Sequence, residues 1–297
     1  MRTRLVTLCL APLVLLATFA VAGTAQAGSS RTSPTYYVSL GDSYSVGDQP
    51  GPGSTPGYTV YVARKTHLTL VNFGCGGATT TTILNQVGCP DVLPHTAGGM
   101  TYPTTTQAAA AEAFLSAHRG HIGLITVTIG GNDLIGCAHQ PNAVSCALAA
   151  GNSIKTNVTT LAADLRAAAG PKVPIIGSTY PDVLLGGYVW PTNPPSPSTL
   201  NTAKLSVVAF KAVLNPSLAK GYASSKGRFV DVTAAAGGYI PLTRTVESPA
   251  YGVIPVAVAH ACVYSWFCTS GNIHATTPGY TLIGKLIVAR YTTLHRR

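Results

Sequence analysis

The hydrophobic positions of the chain fall mainly into short continuous runs, which are separated by longer, alanine-rich stretches. Five of these runs are rich in β-branched residues and have the length of a strand. Because apolar positions dominate each run, both faces of the strand should be buried, as in a parallel sheet. The predicted strands cover residues 36–40, 68–73, 124–129, 173–179 and 228–232.

Helical stretches lie between and after these strands. Gly120 and Gly170 mark the ends of two of them, and Pro216 is expected to stop a third. The alternation of strand and helix predicts an α/β fold in three layers, with helices on both faces of the sheet. The Pro-rich stretch 190–198 is interpreted as a surface loop, so residues 28–297 are expected to form a single domain. The predicted helices cover residues 106–119, 153–169, 202–214 and 278–294.

The first 27 residues have the pattern of a secretory signal peptide. Arg2 and Arg4 precede an apolar stretch over residues 5–22, and Ala25-Gln26-Ala27 gives a small-residue cleavage site. We therefore expect cleavage after Ala27 and secretion of the mature chain. The alternative is an uncleaved membrane anchor, although the apolar run is near the lower length limit for a spanning helix.

The chain is basic, with 19 Lys and Arg residues against 9 Asp and Glu and a net charge of +10. The basic residues are scattered and do not form runs with interleaved aromatic residues, so nucleic-acid binding is not expected. Stable membrane insertion of the mature chain is not expected either. We expect a monomer whose partner is a small-molecule or lipid ester.

Six cysteines remain after the signal peptide, and an even number in an exported chain indicates disulfides. They fall into three close pairs, which favours bonding in sequence order. Metal binding is the competing interpretation, but no pair has the Cys-x-x-Cys spacing and no His pair accompanies them. We therefore expect no metal and no cofactor. The predicted disulfides are Cys75–Cys89, Cys137–Cys146 and Cys262–Cys268.

Residues suited to nucleophilic catalysis follow the predicted strands. Ser43 comes directly after the first strand, where open α/β sheets bind ligands, although Gly41-Asp42-Ser43 alone is a weak signal and Ser43 could merely cap a helix. The Gly-x-Ser-x-Gly elbow of α/β-hydrolases is absent, because position 45 is Ser. Acyl transfer also needs a base and oxyanion donors. The candidates are Gly77 after the second strand, Asn132 after the third strand and His274 before the last helix.

Together these four blocks resemble the SGNH hydrolases, also called GDSL esterases and lipases, and are most similar to secreted actinobacterial members. The resemblance covers the chain from about Tyr36 to the last helix. It implies a flavodoxin-like α/β/α sandwich with a five-stranded parallel sheet of order 2-1-3-4-5. It also implies Ser43 as nucleophile, His274 as base, and an oxyanion hole formed by the Ser43 and Gly77 N–H groups and the Asn132 side chain.

One position departs from the commonest family pattern. Many members place an Asp three residues before the His, and here that position is Gly271. The Gly271 backbone carbonyl is expected to accept the His274 Nδ1–H, forming a dyad without a carboxylate. A neutral carbonyl would stabilise the imidazolium less than a carboxylate does. The alternative is an acid from elsewhere, with Asp231 and Glu247 as candidates.

The expected function is hydrolysis of carboxylic esters through an acyl-enzyme. The low charge density and the apolar loop from Val183 to Trp190 favour fatty-acyl esters, as in a lipase or esterase. A carbohydrate or cell-wall deacetylase on the same fold is the alternative among enzymes. A catalytically silent module that binds surface glycan or lipid is the alternative from another class.

Overall fold

Five strands form the parallel sheet at the centre of the protein. The computed structural model describes residues 35–51, 56–92, 96–138 and 140–295, so the predicted signal peptide lies outside the described residues. The strand order is β2-β1-β3-β4-β5 and every pairing is parallel, which confirms the predicted topology. The strands are β1 Tyr36–Gly41, β2 Thr69–Asn72, β3 Ile122–Thr128, β4 Ile175–Ser178 and β5 Arg228–Val230.

Helices cover both faces of this sheet. Helices α4, α6 and α8 pack against one another on one face, and α2 packs against α12 on the other. The bounds in chain order are α1 Ser43–Val46, α2 Tyr58–Thr66, α3 Thr82–Asn85, α4 Gln107–Ala117, α5 Gly131–Ile135, α6 Ala143–Ala169, a 3₁₀ helix Val183–Tyr188, α7 Pro197–Val208, a π-helical segment Ala209–Leu214, α8 Asn215–Ala223, α9 Val232–Ala235, α10 Val256–Tyr264, α11 Phe267–Ser270 and α12 Thr277–His295.

The helix through Pro216 differs from the sequence prediction. Pro216 was expected to stop it, but α7, the π-helical segment and α8 continue one another through the proline to Ala223. Pro216 stands within the first two residues of α8, where a missing backbone N–H is tolerated. The wider π-helical turns directly before it accommodate a residue that cannot complete the regular hydrogen-bond ladder.

Helix α6 is longer than predicted, and a two-stranded hairpin was not predicted. Helix α6 begins at Ala143, ten residues before the predicted start, and Gly151 inside it lies close to the Val213 side chain. Strands β6 Thr245–Ser248 and β7 Gly252–Pro255 form an antiparallel hairpin. Most hairpin residues are exposed, so the sequence there carries no buried run from which a strand could be recognised.

The hydrophobic core has two parts. The larger part fills the space between the sheet and its helices, and contains Tyr37, Leu124 and Leu161 among its fully buried side chains. A smaller part joins the 3₁₀ helix, through Leu185, to Val258 of α10. Residues 34–297 group into one compact unit. Within the described ranges, no helix has both the length and the hydrophobicity needed to span a membrane.

Candidate active site

Ser43 is the first residue of α1 and lies directly beyond the carboxyl end of β1. Gly41, with φ +134°, makes the turn possible, because an added Cβ would collide with the Thr128 carbonyl at the end of β3. The Asp42 side chain caps α1 by accepting a hydrogen bond from the Tyr44 N–H at 2.9 Å. Ser43 is therefore held on a short helix at the edge of the sheet where ligands bind in open α/β folds.

Two amide side chains fix this turn from both sides. The Gln107 amide accepts from the Gly41 N–H at 2.7 Å and donates to the Gly41 carbonyl at 3.1 Å. Asn72, at the end of β2, donates to the Ser45 carbonyl at 2.8 Å and accepts from the Gly74 N–H at 3.0 Å. The loop after β2 is thus tied to the helix that carries Ser43.

Asn132 and Gly77 lie on two loops that are bonded to each other. Asn132 Nδ2 donates to the Ala78 carbonyl at 2.9 Å, and the adjacent Asp133 accepts from the Thr80 N–H at 2.9 Å. An amide nitrogen carries two protons, so Asn132 retains one donor for a ligand. Gly77 has φ +69°, and an added Cβ would meet no atom within 4 Å, so this turn borders open space.

His274 is oriented by a side chain that the sequence analysis did not select. Its Nδ1 lies 3.0 Å from Asn272 Oδ1, and the same oxygen accepts the His274 backbone N–H at 2.9 Å. The expectation that the Gly271 carbonyl fills this role was wrong. Gly271 ends α11 with φ +68°, and the chain then turns so that the Asn272 side chain reaches the ring first.

The two carboxylates proposed as alternative acids lie elsewhere. Asp231 caps α9 through the Ala234 N–H at 2.8 Å and also accepts from Asn215 at 2.8 Å. Glu247 is exposed on β6. Instead, the carboxylate of Asp48 contacts His274, with 3.2 Å between Asp48 Oδ2 and His274 Nε2.

Burial lowers the pKa of His274 below its usual value, while Asp48 and, more weakly, Asp91 raise it. The ring is therefore largely neutral at neutral pH, as a general base must be. Burial also raises the pKa of Asp42 to about 7, although the Tyr180 hydroxyl donates to this carboxylate. In the described part of the chain, no hydrogen bond joins the Ser43 hydroxyl to His274, whose ring nitrogens face Asn272 and Asp48 instead.

An apolar cavity of about 270 Å³ opens at Ser43. Asn132 and Ile273, the residue before His274, also line it, so elements of three of the four sequence blocks meet there. The rest of the wall is predominantly apolar, although Asp42, Thr202 and Ser206 also line it, and it comes mainly from α5, α6, the 3₁₀ helix and α7 with its π-helical continuation. Gly77 lines a separate, smaller cavity together with Cys75 and Gln107.

Each of the three disulfides expected from the spacing is present. Cys75–Cys89 closes the loop that holds Gly77, and Cys137–Cys146 joins the end of α5 to the start of α6. Cys262–Cys268 lies between α10 and α11, before the His274 loop. Among the described residues, no cluster of His, Cys, Asp and Glu side chains could hold a metal ion.

The family model for GDSL-like lipases and acylhydrolases matches residues 39–282, from β1 into α12. The chain belongs to the GDSL-like lipase/acylhydrolase family. This match spans all four sequence blocks and confirms the resemblance on which the expected fold was based. A search of curated protein sequences finds no significant match.

Two solved structures are similar to this family member over most of its length. The extracellular lipase of Streptomyces rimosus has 20% sequence identity and a TM-score of 0.54, and the alignment covers 86% of this chain and 98% of that one. A lipase from a goat rumen metagenome has 15% identity and a TM-score of 0.49, covering 86% and 96% of the two chains. The first of these supports the α/β/α fold.

Two contacts of this GDSL-like site were missed from the sequence. Asn272 precedes His274 by two residues, a spacing typical of an Asx turn, so its role had a local signal that could have been used. Asp48 had none, because its contact with His274 joins residues 226 positions apart through the packing of α1 against the His274 loop.

Proposed function

We propose that the protein is a secreted serine esterase or lipase that hydrolyses carboxylic esters, with a preference for fatty-acyl groups. The observation that carries this proposal is the apolar cavity that opens directly at Ser43 in a member of the GDSL-like lipase/acylhydrolase family. Burying acyl methylene groups contributes about 0.8 kcal/mol each, so such a cavity favours an alkyl chain over a polar group.

Ser43 is the proposed nucleophile and His274 the proposed base. His274 Nε2 takes the Ser43 proton while Oγ attacks the ester carbonyl, and the developing oxyanion accepts hydrogen bonds from donors held by the loops. Collapse of this intermediate transfers the proton to the leaving alcohol and leaves an acyl-enzyme. Water then repeats the sequence and releases the acid. The proposed donors are the Ser43 and Gly77 N–H groups and the Asn132 side-chain amide.

Asn272 supports the role of His274 by defining its tautomer. The atom of Asn272 that faces the ring must be oxygen, because it also accepts the His274 backbone N–H. Nδ1 therefore carries the proton in the neutral ring, and Nε2 is left with the lone pair that a base needs. The proposed dyad thus uses a side-chain amide oxygen where many relatives use a carboxylate.

A carbohydrate or cell-wall deacetylase remains the alternative within the family. An acetyl group needs little of the cavity, and a sugar needs several polar partners to satisfy its hydroxyl groups. Apolar side chains dominate the cavity wall, which favours the fatty-acyl proposal. Three disulfides and the signal-like N-terminal sequence support secretion. We propose a monomer that needs no metal or cofactor.

The test is hydrolysis of p-nitrophenyl esters from acetate to palmitate by the mature protein and by Ser43→Ala. Ser224→Ala is the control, because this exposed hydroxyl bonds only within α8. We expect kcat to fall by about 10⁴ or more in Ser43→Ala, as when triad nucleophiles are removed, and to be unchanged in the control. Full activity of a folded Ser43→Ala protein would exclude this nucleophile. Turnover of acetate alone would favour the deacetylase, and absence of any turnover would favour a binding module.

A further inference from the structure

Both ring nitrogens of His274 face oxygen acceptors. Nδ1 lies 3.0 Å from the neutral Asn272 Oδ1, and Nε2 lies 3.2 Å from the Asp48 carboxylate. An imidazole with one proton can satisfy only one of these acceptors, whereas an imidazolium donates to both. The surroundings of His274 therefore fit the protonated ring, which is the form that general-base catalysis produces after the nucleophile loses its proton.

We propose that Asp48 is the anionic partner of the His274 imidazolium, a positioning residue that supplies from the Nε2 side the negative charge that Asn272 lacks. This inference rests on the proposed function, because it assigns a role within the same acyl transfer. No carboxylate stands three residues before His274, because position 271 is Gly. Asp48 follows Ser43 by five residues and contacts the same ring from the segment directly after α1.

Asp48 is held in this place by its backbone. Its N–H donates to the Ser43 carbonyl at 3.0 Å, and its carbonyl accepts from the Tyr280 hydroxyl of α12 at 2.7 Å. Tyr44 of α1 donates to the Ile273 carbonyl at 2.6 Å and so fixes the His274 loop against the same helix. The backbone segments that carry the carboxylate and the ring are therefore fixed by contacts outside the Asp48–His274 pair.

The ionisable groups around the ring come from four elements. Asp48 follows α1, Asp91 lies on the loop after Cys89, and Tyr44 and Tyr280 pack from α1 and α12. Burial raises the pKa of both tyrosines, so their hydroxyls stay neutral donors at working pH. Asp48 raises the pKa of His274 most among these neighbours and opposes the larger lowering caused by burial.

The proton balance of the reaction leaves Asp48 unchanged. The Ser43 proton moves to His274 Nε2 as the Oγ–carbon bond forms, and it leaves with the alcohol oxygen as the ester C–O bond breaks. Asp48 exchanges no proton in either step. It stabilises the positive charge that the ring carries between the two steps, and this charge is already developing in the transition states on either side.

The experiment compares pH profiles of kcat and kcat/KM for the mature protein, Asp48→Asn and Asp91→Asn on one p-nitrophenyl ester. Asp48→Asn should lower the plateau kcat by about fivefold, the effect of losing a partly exposed ion pair. It should also move the acidic limb of kcat/KM to lower pH, because a contribution that raises the pKa of His274 is removed. Asp91→Asn removes an equal charge that does not contact His274. The acidic limb of its kcat/KM profile should therefore move less, and its kcat should stay within about twofold of the parent value.

A purely structural role for Asp48 would lower kcat without moving the acidic limb, and that result would overturn the proposal. An unchanged profile, or a variant faster than the parent on the plateau, would overturn it as well. Asp48→Glu should recover part of the limb shift, because it restores the charge on a longer side chain. If the parent protein itself hydrolyses no ester, the proposed function fails. A loss confined to Asp48→Asn with an unmoved limb rejects this inference alone.

Discussion

A buried carboxylate that takes no part in the proposed mechanism lies beside the cavity. Asp182 is 2% exposed and precedes the 3₁₀ helix. Its Oδ2 accepts from the Ser206 hydroxyl at 2.8 Å, while its Oδ1 has no hydrogen-bond partner in the described part of the structure. Burial raises the pKa of Asp182 from 3.8 to about 7, although the Ser206 hydroxyl and the Leu184 and Leu185 N–H groups favour the ionised form. The folded protein therefore bears the cost of an incompletely paired charge above neutral pH.

Asp182→Asn should stabilise the protein most at pH 8. Between pH 3.8 and about 7 the folded chain binds a proton at Asp182 that the unfolded chain has released, so stability falls as pH rises through this window. The neutral amide removes that dependence. We expect a gain of about 1–2 kcal/mol at pH 8 that shrinks towards pH 4, measured by urea unfolding. Asp231→Asn, which removes a helix-capping carboxylate, should not stabilise the protein. An equal gain for Asp182→Asn at both pH values would contradict the titration argument.

Asn272 allows the orientation of His274 to be tested separately from its charge. Asn272→Leu removes the acceptor at Nδ1 and should lower kcat by about 10² or more, because the ring loses its fixed tautomer. Asn272→Asp keeps an acceptor for both the backbone N–H and Nδ1, and adds a charge that raises the pKa of His274. The acidic limb of its kcat/KM profile should therefore move to higher pH, opposite to Asp48→Asn. Equal activity of Asn272→Leu and the parent would show that this contact does not orient the base.

At this scale, the sequence was sufficient to predict that a residue lies at the site where that residue directly follows a strand. Ser43 and Asn132 follow β1 and β3, and parallel strands bring such positions to one edge of the sheet. The partners of His274 depend instead on where a loop side chain points. Asn272 displaced the expected Gly271 carbonyl through a single local turn, which strand and helix patterns do not determine.

At the scale of elements, the Cys137–Cys146 disulfide joins the short helix that carries Asn132 to the first turns of α6. Cys137 itself lines the cavity. The bond closes a short loop, and in the chain-entropy model such a bond stabilises the folded state by about 2–3 kcal/mol. It also fixes the position of α5 relative to α6, and both helices line the cavity.

The double variant Cys137→Ser/Cys146→Ser should lower the free energy of unfolding by about 2–3 kcal/mol. Urea unfolding with and without reductant provides the measurement. The reduced parent, which has lost all three bonds, should be less stable than the variant without reductant, which keeps two. The parent should contain no free thiol before reduction. A peptide linking Cys89 to Cys137 would contradict the pairing, and an unchanged midpoint in the variant would contradict the stabilising role.

Elements were predicted well where their residues are buried, and poorly where they are exposed or the backbone is irregular. The five strands were recognisable because their residues are apolar on both faces, as at Leu124 and Val127 of β3. The start of α6 was misplaced because its first turns are largely exposed and Gly151 interrupts the pattern. Pro216 was interpreted as the end of the helix because the sequence does not reveal the π-helical turns that accommodate it.

At the scale of the whole molecule, the cavity continues into an exposed apolar rim. Val144 and Leu148 of α6 are 61% and 55% exposed, and Leu205 and Val208 of α7 are 36% and 58% exposed. All four also line the cavity that begins at Ser43. An exposed apolar surface that is continuous with a cavity is typical of a contact site for an apolar ligand or lipid. In the proposed function, an acyl chain longer than the cavity would leave it across this rim.

The rim predicts a selectivity change that depends on chain length. Val144→Ser/Leu148→Ser should lower kcat/KM for p-nitrophenyl palmitate by about tenfold, since it removes apolar contact equivalent to one or two buried methylene groups. Hydrolysis of the butyrate should be unaffected, because a short acyl chain ends inside the cavity near Ser43. Val246→Ser/Val253→Ser is the matched control: these valines are 41% and 72% exposed on the β6–β7 hairpin and do not line the cavity. The control should leave both rates unchanged. If the rim variant slows butyrate and palmitate equally, the rim stabilises the fold or the catalytic loops rather than the acyl chain.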